Sequence, residues 1–127
     1  MWVLSKSGEQ KLSTCNTEIQ LIIRKALQIS PIDFGVSCGH RTVEQQQIEF
    51  KAGRSHLDGI NKKSKHNLLP SKGIDLYAYV NGKADYSDKY MGILAGVILS
   101  IAKDMGIELE WGGNWKSLKD MPHYNTK

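Results

Sequence analysis

Cysteine is scarce in this chain: Cys15 and Cys38 are the only two. That excludes a disulfide scaffold, and the absence of any C-x-x-C pair excludes thiolate zinc knuckles and dithiol redox chemistry. Both thiols are expected to be buried and reduced. No apolar run approaches the roughly 20 residues that span a bilayer, so nothing membrane-embedded is expected. The opening stretch, "MWVLSKSGEQKLSTC", lacks the basic start and apolar core of a secretory signal, which predicts synthesis and first residence in a cytoplasm. Dense basic blocks are missing too. The 17 Lys and Arg are interspersed with 13 Asp and Glu for a formal charge of +4, and "NKKSKH" is the thickest cluster. Nucleic acid is therefore not an expected partner, whereas a polymer rich in carboxylate or phosphate, such as a bacterial wall, suits the same balance.

Repeats, low-complexity tracts and linkers are also absent, so residues 1–127 are expected to form one domain. At this length folding removes roughly two-thirds of the unfolded chain's surface from water, and a core forms without staples. From Asn16 or Thr17, "TEIQLIIRKALQIS" spaces Ile19, Ile22, Ile23, Ala26 and Leu27 as one helical face that stops before Pro31. "IDFGVS" reads as a strand. Thr42 and Gln45 form a capping-box pattern that starts a helix directly after Arg41, and Gly53 can close it. Residues 53–72 read as a long surface loop. "GIDLYAYV" alternates as a strand up to Asn81-Gly82, with Asp75 opposite Ile74 and Leu76. Ser87 opens a helix over 88–105 whose predicted stripe is Tyr90, Leu94, Val97, Ile98, Ile101 and Met105. "IELEW" is a further strand, "GGNW" a turn, and "KSLKDMPHYNTK" a closing loop or strand. The fold class is α+β, a small, mainly antiparallel sheet with flanking helices.

Of the four histidines, each taken alone reads as a partly exposed polar residue. His66 stands apart because a loop containing Pro70 and Gly73 returns from it into the strand that carries Asp75, which can bring both side chains to one centre. A catalytic zinc site needs three protein ligands from nitrogen and oxygen. His123 is the candidate third ligand if the last strand pairs beside the one bearing Asp75.

Three segments then carry a resemblance. "SKHNLLPSKGIDLYAY" resembles the first ligand segment of the D-alanyl-D-alanine carboxypeptidase-like metallopeptidases, in the phage endolysin branch that cuts between L-alanine and D-glutamate of peptidoglycan. "GVSCGHRTVEQQQ" is similar to that family's Gly-x-Arg-Thr-x-x-x-Gln segment, and "EWGGNWKSLKDMPHY" to its Trp-Gly-Gly-x-Trp and Asp-x-Pro-His ending. The resemblance implies a hedgehog/D-Ala-D-Ala peptidase-like fold, Zn2+ held by His66, Asp75 and His123, Asp120 as general base, and Arg41 beside the substrate. It implies a peptidoglycan hydrolase admitted from the host cytoplasm to the wall by a separate pore-forming holin; a monomer is expected, without the separate wall-binding module common in related lysins. Gly73 stands where alanine is usual, a change expected to alter packing more than chemistry.

Plainer readings stay beside these. Glu108 or Glu110 could be the base, since the residues alone rate them level with Asp120, and Arg41 could pair with Glu44. Trp115 reads as a rim or core aromatic before it reads as a substrate platform. His40 and His56 are bystanders, His56 being the nearer to a cleft. A D-alanyl-D-alanine carboxypeptidase or dipeptidase is the alternative activity, and a non-catalytic zinc-stabilised wall-binding module the alternative outside enzymes.

Overall fold

A computed structural model describes residues 1–127. Helices α1 (Lys6–Ser13), α2 (Thr17–Ile29), α3 (Val43–Lys51) and α4 (Asp88–Asp104) accompany strands β1 (Phe34–Cys38), β2 (Gly73–Val80), β3 (Lys83–Asp85), β4 (Leu109–Trp111) and β5 (His123–Thr126). Short 3-10 turns lie at Lys65–Asn67 and Gly112–Asn114.

Local chemistry explains most of these boundaries. Asn16 caps α2 by accepting from the Ile19 amide, and the buried face is the expected one, Ile19, Ile22, Ile23, Ala26 and Leu27. At α3, Thr42 and Gln45 complete both halves of the capping box, and Gly53 leaves the helix with φ of 78°. Helix α1 is an addition to the expected elements. Its Ser5 cap accepts from Gly8, and Leu12 is its fully buried anchor. Helix α4 runs where expected but is rotated: Met91, Leu94, Ala95, Ile98, Ile101 and Ala102 face inward, while Met105 is 40% exposed and Tyr90 and Val97 are only partly buried. Ser87 occupies the cap position without a side-chain cap bond.

The sheet runs β1-β2-β5-β4, antiparallel throughout, with β3 continuing along the β2 edge that β5 leaves free. Helices α2 and α4 pack together on one face, over Phe34, Val36, Ile74, Leu76 and Tyr124. The pleat then turns Asp75, Tyr77 and Tyr79 to the opposite face. Register matters most in the middle. Asp75 pairs with Cys38 on one side and with His123 on the other, so these three residues form a single row across β1, β2 and β5.

Residues 53–72 form the expected long loop, interrupted by the 65–67 turn, and are well tied. Buried Gln46 donates to Ser55 Oγ and the Leu57 carbonyl, both at 2.7 Å, and Asp58 Oδ1 accepts from the amides of Ile60, Asn61 and Lys62. Ser71 bridges to Cys15.

Candidate active site

Asp75 is carried by β2 and His123 by its direct neighbour β5, so two members of the site are fixed by strand pairing alone. His66 comes from the 3-10 turn, where Ser64 Oγ accepts from the His66 amide at 3.2 Å and Asn67 Oδ1 accepts from the Ser64 amide at 2.9 Å. Two further bonds stitch that turn to the Arg41 segment. The Arg41 amide donates to the His66 carbonyl at 2.7 Å, and Asn67 Nδ2 donates to the Arg41 carbonyl at 3.0 Å.

The three side chains meet. His66 Nε2, His123 Nδ1 and Asp75 Oδ1 lie 3.1 Å from one another on every side of a triangle. The rings' other nitrogens face acceptors: His66 Nδ1 donates to the Gly39 carbonyl at 2.7 Å, and His123 Nε2 donates to Asn125 Oδ1 at 2.8 Å. The Asn125 amide is oriented in turn by donating to the Thr126 carbonyl at 3.2 Å. In neutral rings these outer bonds leave each inner nitrogen with a lone pair directed, with a carboxylate oxygen, at one point. Such a set calls for a cation. Four-coordinate zinc at about 2.0–2.1 Å from nitrogen has ligand-to-ligand edges of about 3.3–3.4 Å, so this triangle fits the ion in donor type and in size.

Electrostatics agree with the geometry. Burial alone would strip charge from His66, yet the Asp75 carboxylate and the Cys38 thiol beside it raise its pKa to about 10. Burial would likewise neutralise Asp75, but bonds from His123 and His66 hold it well below the usual carboxylate range. Each partner shows that the pocket stabilises positive charge at the triangle.

Around the triangle lies a cleft of about 600 Å³ lined by Arg41, His56, Glu110, Trp115 and Asp120 among others. Arg41 Nη2 is 3.8 Å from Asp75 Oδ2, and Nη1 donates to buried Gln46 at 2.9 Å. Pairing with Glu44 does not occur: the Arg41 guanidinium faces Gln46, Cys38 and Asp75 instead. The Asp120 carboxyl has donor atoms of Asp75 and His123 within 4.8 Å and hydrogen-bonds to neither. Crowding by surrounding protein, then the nearby Asp75 charge, raises its pKa. Glu108 turns outward to Lys127 at 2.7 Å, which removes it as a base, while Glu110 reaches the cleft but accepts from Trp115 Nε1 at 2.6 Å. Trp115 covers His123, with ring centroids 5.4 Å apart. His56 lines the cleft, and His40 contributes only its amide, to Thr14 Oγ1. Cys38 departs from expectation. It is half-buried, with Sγ 3.6 Å from Arg41 Nη2 and 3.7 Å from His66 Nδ1.

The family model for phage L-alanyl-D-glutamate peptidases matches residues 1–126. The chain belongs to that family. The L-alanyl-D-glutamate peptidase of Escherichia phage T5 is 34% identical to it over 116 residues, covering 91% of this chain and 82% of the phage protein. The crystal structure of Serratia marcescens L-Ala D-Glu endopeptidase ChiX superposes with a TM-score of 0.84 at 30% identity, over 98% of this chain and 90% of that one.

Several supporting residues of this peptidase escape a motif-level reading. Asn125 is two positions from His123, the same face of a strand by the period-2 rule, and that spacing was the available signal. Gln46 falls in a quoted motif, but only burial shows that it holds Arg41 and the 55–57 segment together. Gly73 sits against both rings: a Cβ there would stand 3.1 Å from His123 Cε1 and 3.3 Å from His66 Nδ1. Packing at Gly73 is thus packing of the imidazoles themselves. Gly112 plays the same part for Asp120, whose amide donates to the Gly112 carbonyl at 3.1 Å.

Proposed function

We propose that this peptidase hydrolyses the L-alanyl-D-glutamate bond of peptidoglycan stem peptides during host lysis, using zinc held by His66, Asp75 and His123, Asp120 as general base and Arg41 as electrophilic partner. The observation that carries the reading is the triangle of donor atoms with 3.1 Å sides at the floor of the cleft. Bound there, zinc supplies Lewis acidity toward the scissile carbonyl and makes water a competent nucleophile by lowering its pKa from roughly 16 toward about 7.

The chain's own groups do the rest. Asp120 stands one water's breadth from the triangle, where it takes the proton of the attacking water and returns it to the departing amine. Its raised pKa favours that acceptance. Arg41, always charged, donates to the carbonyl oxygen as negative charge accumulates, and Gln46 holds the guanidinium ready for it. Gly39 and Asn125 lock the tautomers of the two imidazoles. No helix is long and apolar enough to cross a membrane; in this reading the protein acts as a monomer that reaches the wall through a separate pore-forming protein.

Digestion of purified sacculi tests this reading. Cleavage that exposes glutamyl amino groups, stops on chelation and returns with zinc is expected. Release of terminal D-alanine instead would move the activity to the carboxypeptidase class, and turnover in metal-free protein would overturn the site.

A further inference from the structure

The proposed substrate carries a charge that the residues assigned so far leave unmet. A glutamyl residue joined to its neighbour through one carboxyl keeps the other, so a carboxylate lies within about one residue, some 3.5 Å of chain, of the scissile amide. Arg41 is committed in the hydrolytic reading to the scissile carbonyl oxygen and already faces Gln46, Cys38 and Asp75, which leaves the carboxylate to other cations.

Four other cations line the same cleft: Arg54, which is paired with Glu49, and three lysines. Lys63 and Lys65 stand on the wall that carries His66, and Lys119 stands on the wall that carries Asp120. All three are exposed, and none is within 4.0 Å of an acidic group, although the chain does form ion pairs elsewhere. Of the acids that line the cleft, Glu49 is engaged with Arg54 at 2.6 Å, Glu110 with the Trp115 indole and Asp75 with the two imidazoles, and Asp120 alone is unpaired. Lys65 directly precedes His66 and Lys119 directly precedes Asp120, so each wall carries an unpaired ammonium on the residue next to a member of the site. Three unpaired ammonium groups against the single unpaired carboxyl of Asp120 leave the cleft with an excess of free positive charge, which concentrates anionic ligands. Ammonium groups on flexible stems read charge and tolerate varied geometry, unlike a guanidinium fork.

We propose that Lys63, Lys65 and Lys119 form a carboxylate-reading subsite that makes the enzyme prefer stem peptides whose glutamate keeps its free carboxylate over those in which that group is an amide. This rests on the hydrolytic reading above and names its substrate class more narrowly.

Two soluble peptides test it, identical except that the glutamyl carboxyl outside the chain is free in one and amidated in the other. The zinc enzyme is expected to favour the acid by about 10- to 100-fold in kcat/KM, chiefly through KM, as for a hydrogen bond between charged groups. In the K63Q/K65Q/K119Q variant that ratio is expected to fall below about threefold. Calorimetric binding of the same peptides to zinc-loaded Asp120→Asn protein, with and without the lysine changes, gives a readout independent of turnover. An unaltered ratio in the triple variant, or no preference in the parent enzyme, overturns the subsite while leaving hydrolysis intact. Lysine-dependent preference in binding without cleavage of either peptide upholds the subsite and overturns the hydrolytic reading.

Discussion

Gly112→Ala is the perturbation that most sharply separates holding a metal from using it. Gly112 begins the 3-10 turn after β4, and its carbonyl accepts from the amides of both Trp115, at 3.3 Å, and Asp120, at 3.1 Å. A Cβ at this position would stand 3.0 Å from the Asp120 Cβ and carbonyl carbon and closer still to its carbonyl oxygen, where ordinary contact begins at 3.4 Å. The neighbour is backbone, so no side-chain rotation relieves the clash. Asp120 must move by about 1 Å, and a displacement of that size at a reacting group costs on the order of 100-fold in rate. The overpacking itself is expected to cost about 1–3 kcal/mol of stability. The triangle is built on β2, β5 and the 65–67 turn, and so it is expected to keep its zinc. The assay is kcat on a soluble stem peptide, with zinc content and thermal unfolding measured on the same preparation. Wild-type kcat in a folded, zinc-loaded Gly112→Ala protein would refute the placement of Asp120 as base.

Other outcomes follow from the same geometry. Asn125→Ala removes the acceptor of His123 Nε2–H and is expected to weaken zinc binding by about 10- to 100-fold, read from competition with a chelator of known affinity. Arg41→Ala is expected to retain zinc and lower kcat by about 100-fold or more, as for loss of one oxyanion donor. Zinc binding is also expected to expel a proton. With the metal-free His66 pKa raised to about 10, the ring is protonated at neutral pH and must lose that proton to ligate. Zinc affinity should therefore rise about tenfold per pH unit between roughly 7 and 9, and calorimetry in buffers of different ionisation heat should count about one proton released. A pH-independent affinity would contradict the coupling.

The sequence was most legible where one local rule acts alone. Caps and a clean apolar stripe located α2, the capping box located α3, and strict alternation placed Asp75 on the face away from the core. Helix α4 was harder because it is apolar nearly all round. Tyr90 and Met91, or Val97 and Ile98, compete for the inward position, and one residue is a 100° rotation that only packing against α2 and the sheet decides. Helix α1 gave almost no signal, since its eight residues include a glycine and a single buried leucine, and tertiary contact with β1 holds it. Strand β3 was foreshadowed by Asn81-Gly82, whose φ values of 52° and 79° suit a two-residue hairpin turn, but its three residues carry no pattern of their own. In the site, the triangle's members stood out as titratable types at a strand and a loop. Gly39, Asn125 and Gly112 act through a carbonyl, an amide and a missing methyl, which only three-dimensional proximity exposes.

X-ray absorption at the zinc edge, on protein reconstituted with one equivalent of the metal, questions the centre itself. Two imidazoles and a carboxylate predict a shell of nitrogen and oxygen alone at about 2.0–2.2 Å, lost in Asp75→Ala and His123→Ala proteins. A sulfur shell at about 2.3 Å would instead draw the ion to Cys38, which shares its own donor cluster with His66 and Asp75, and would contradict the account.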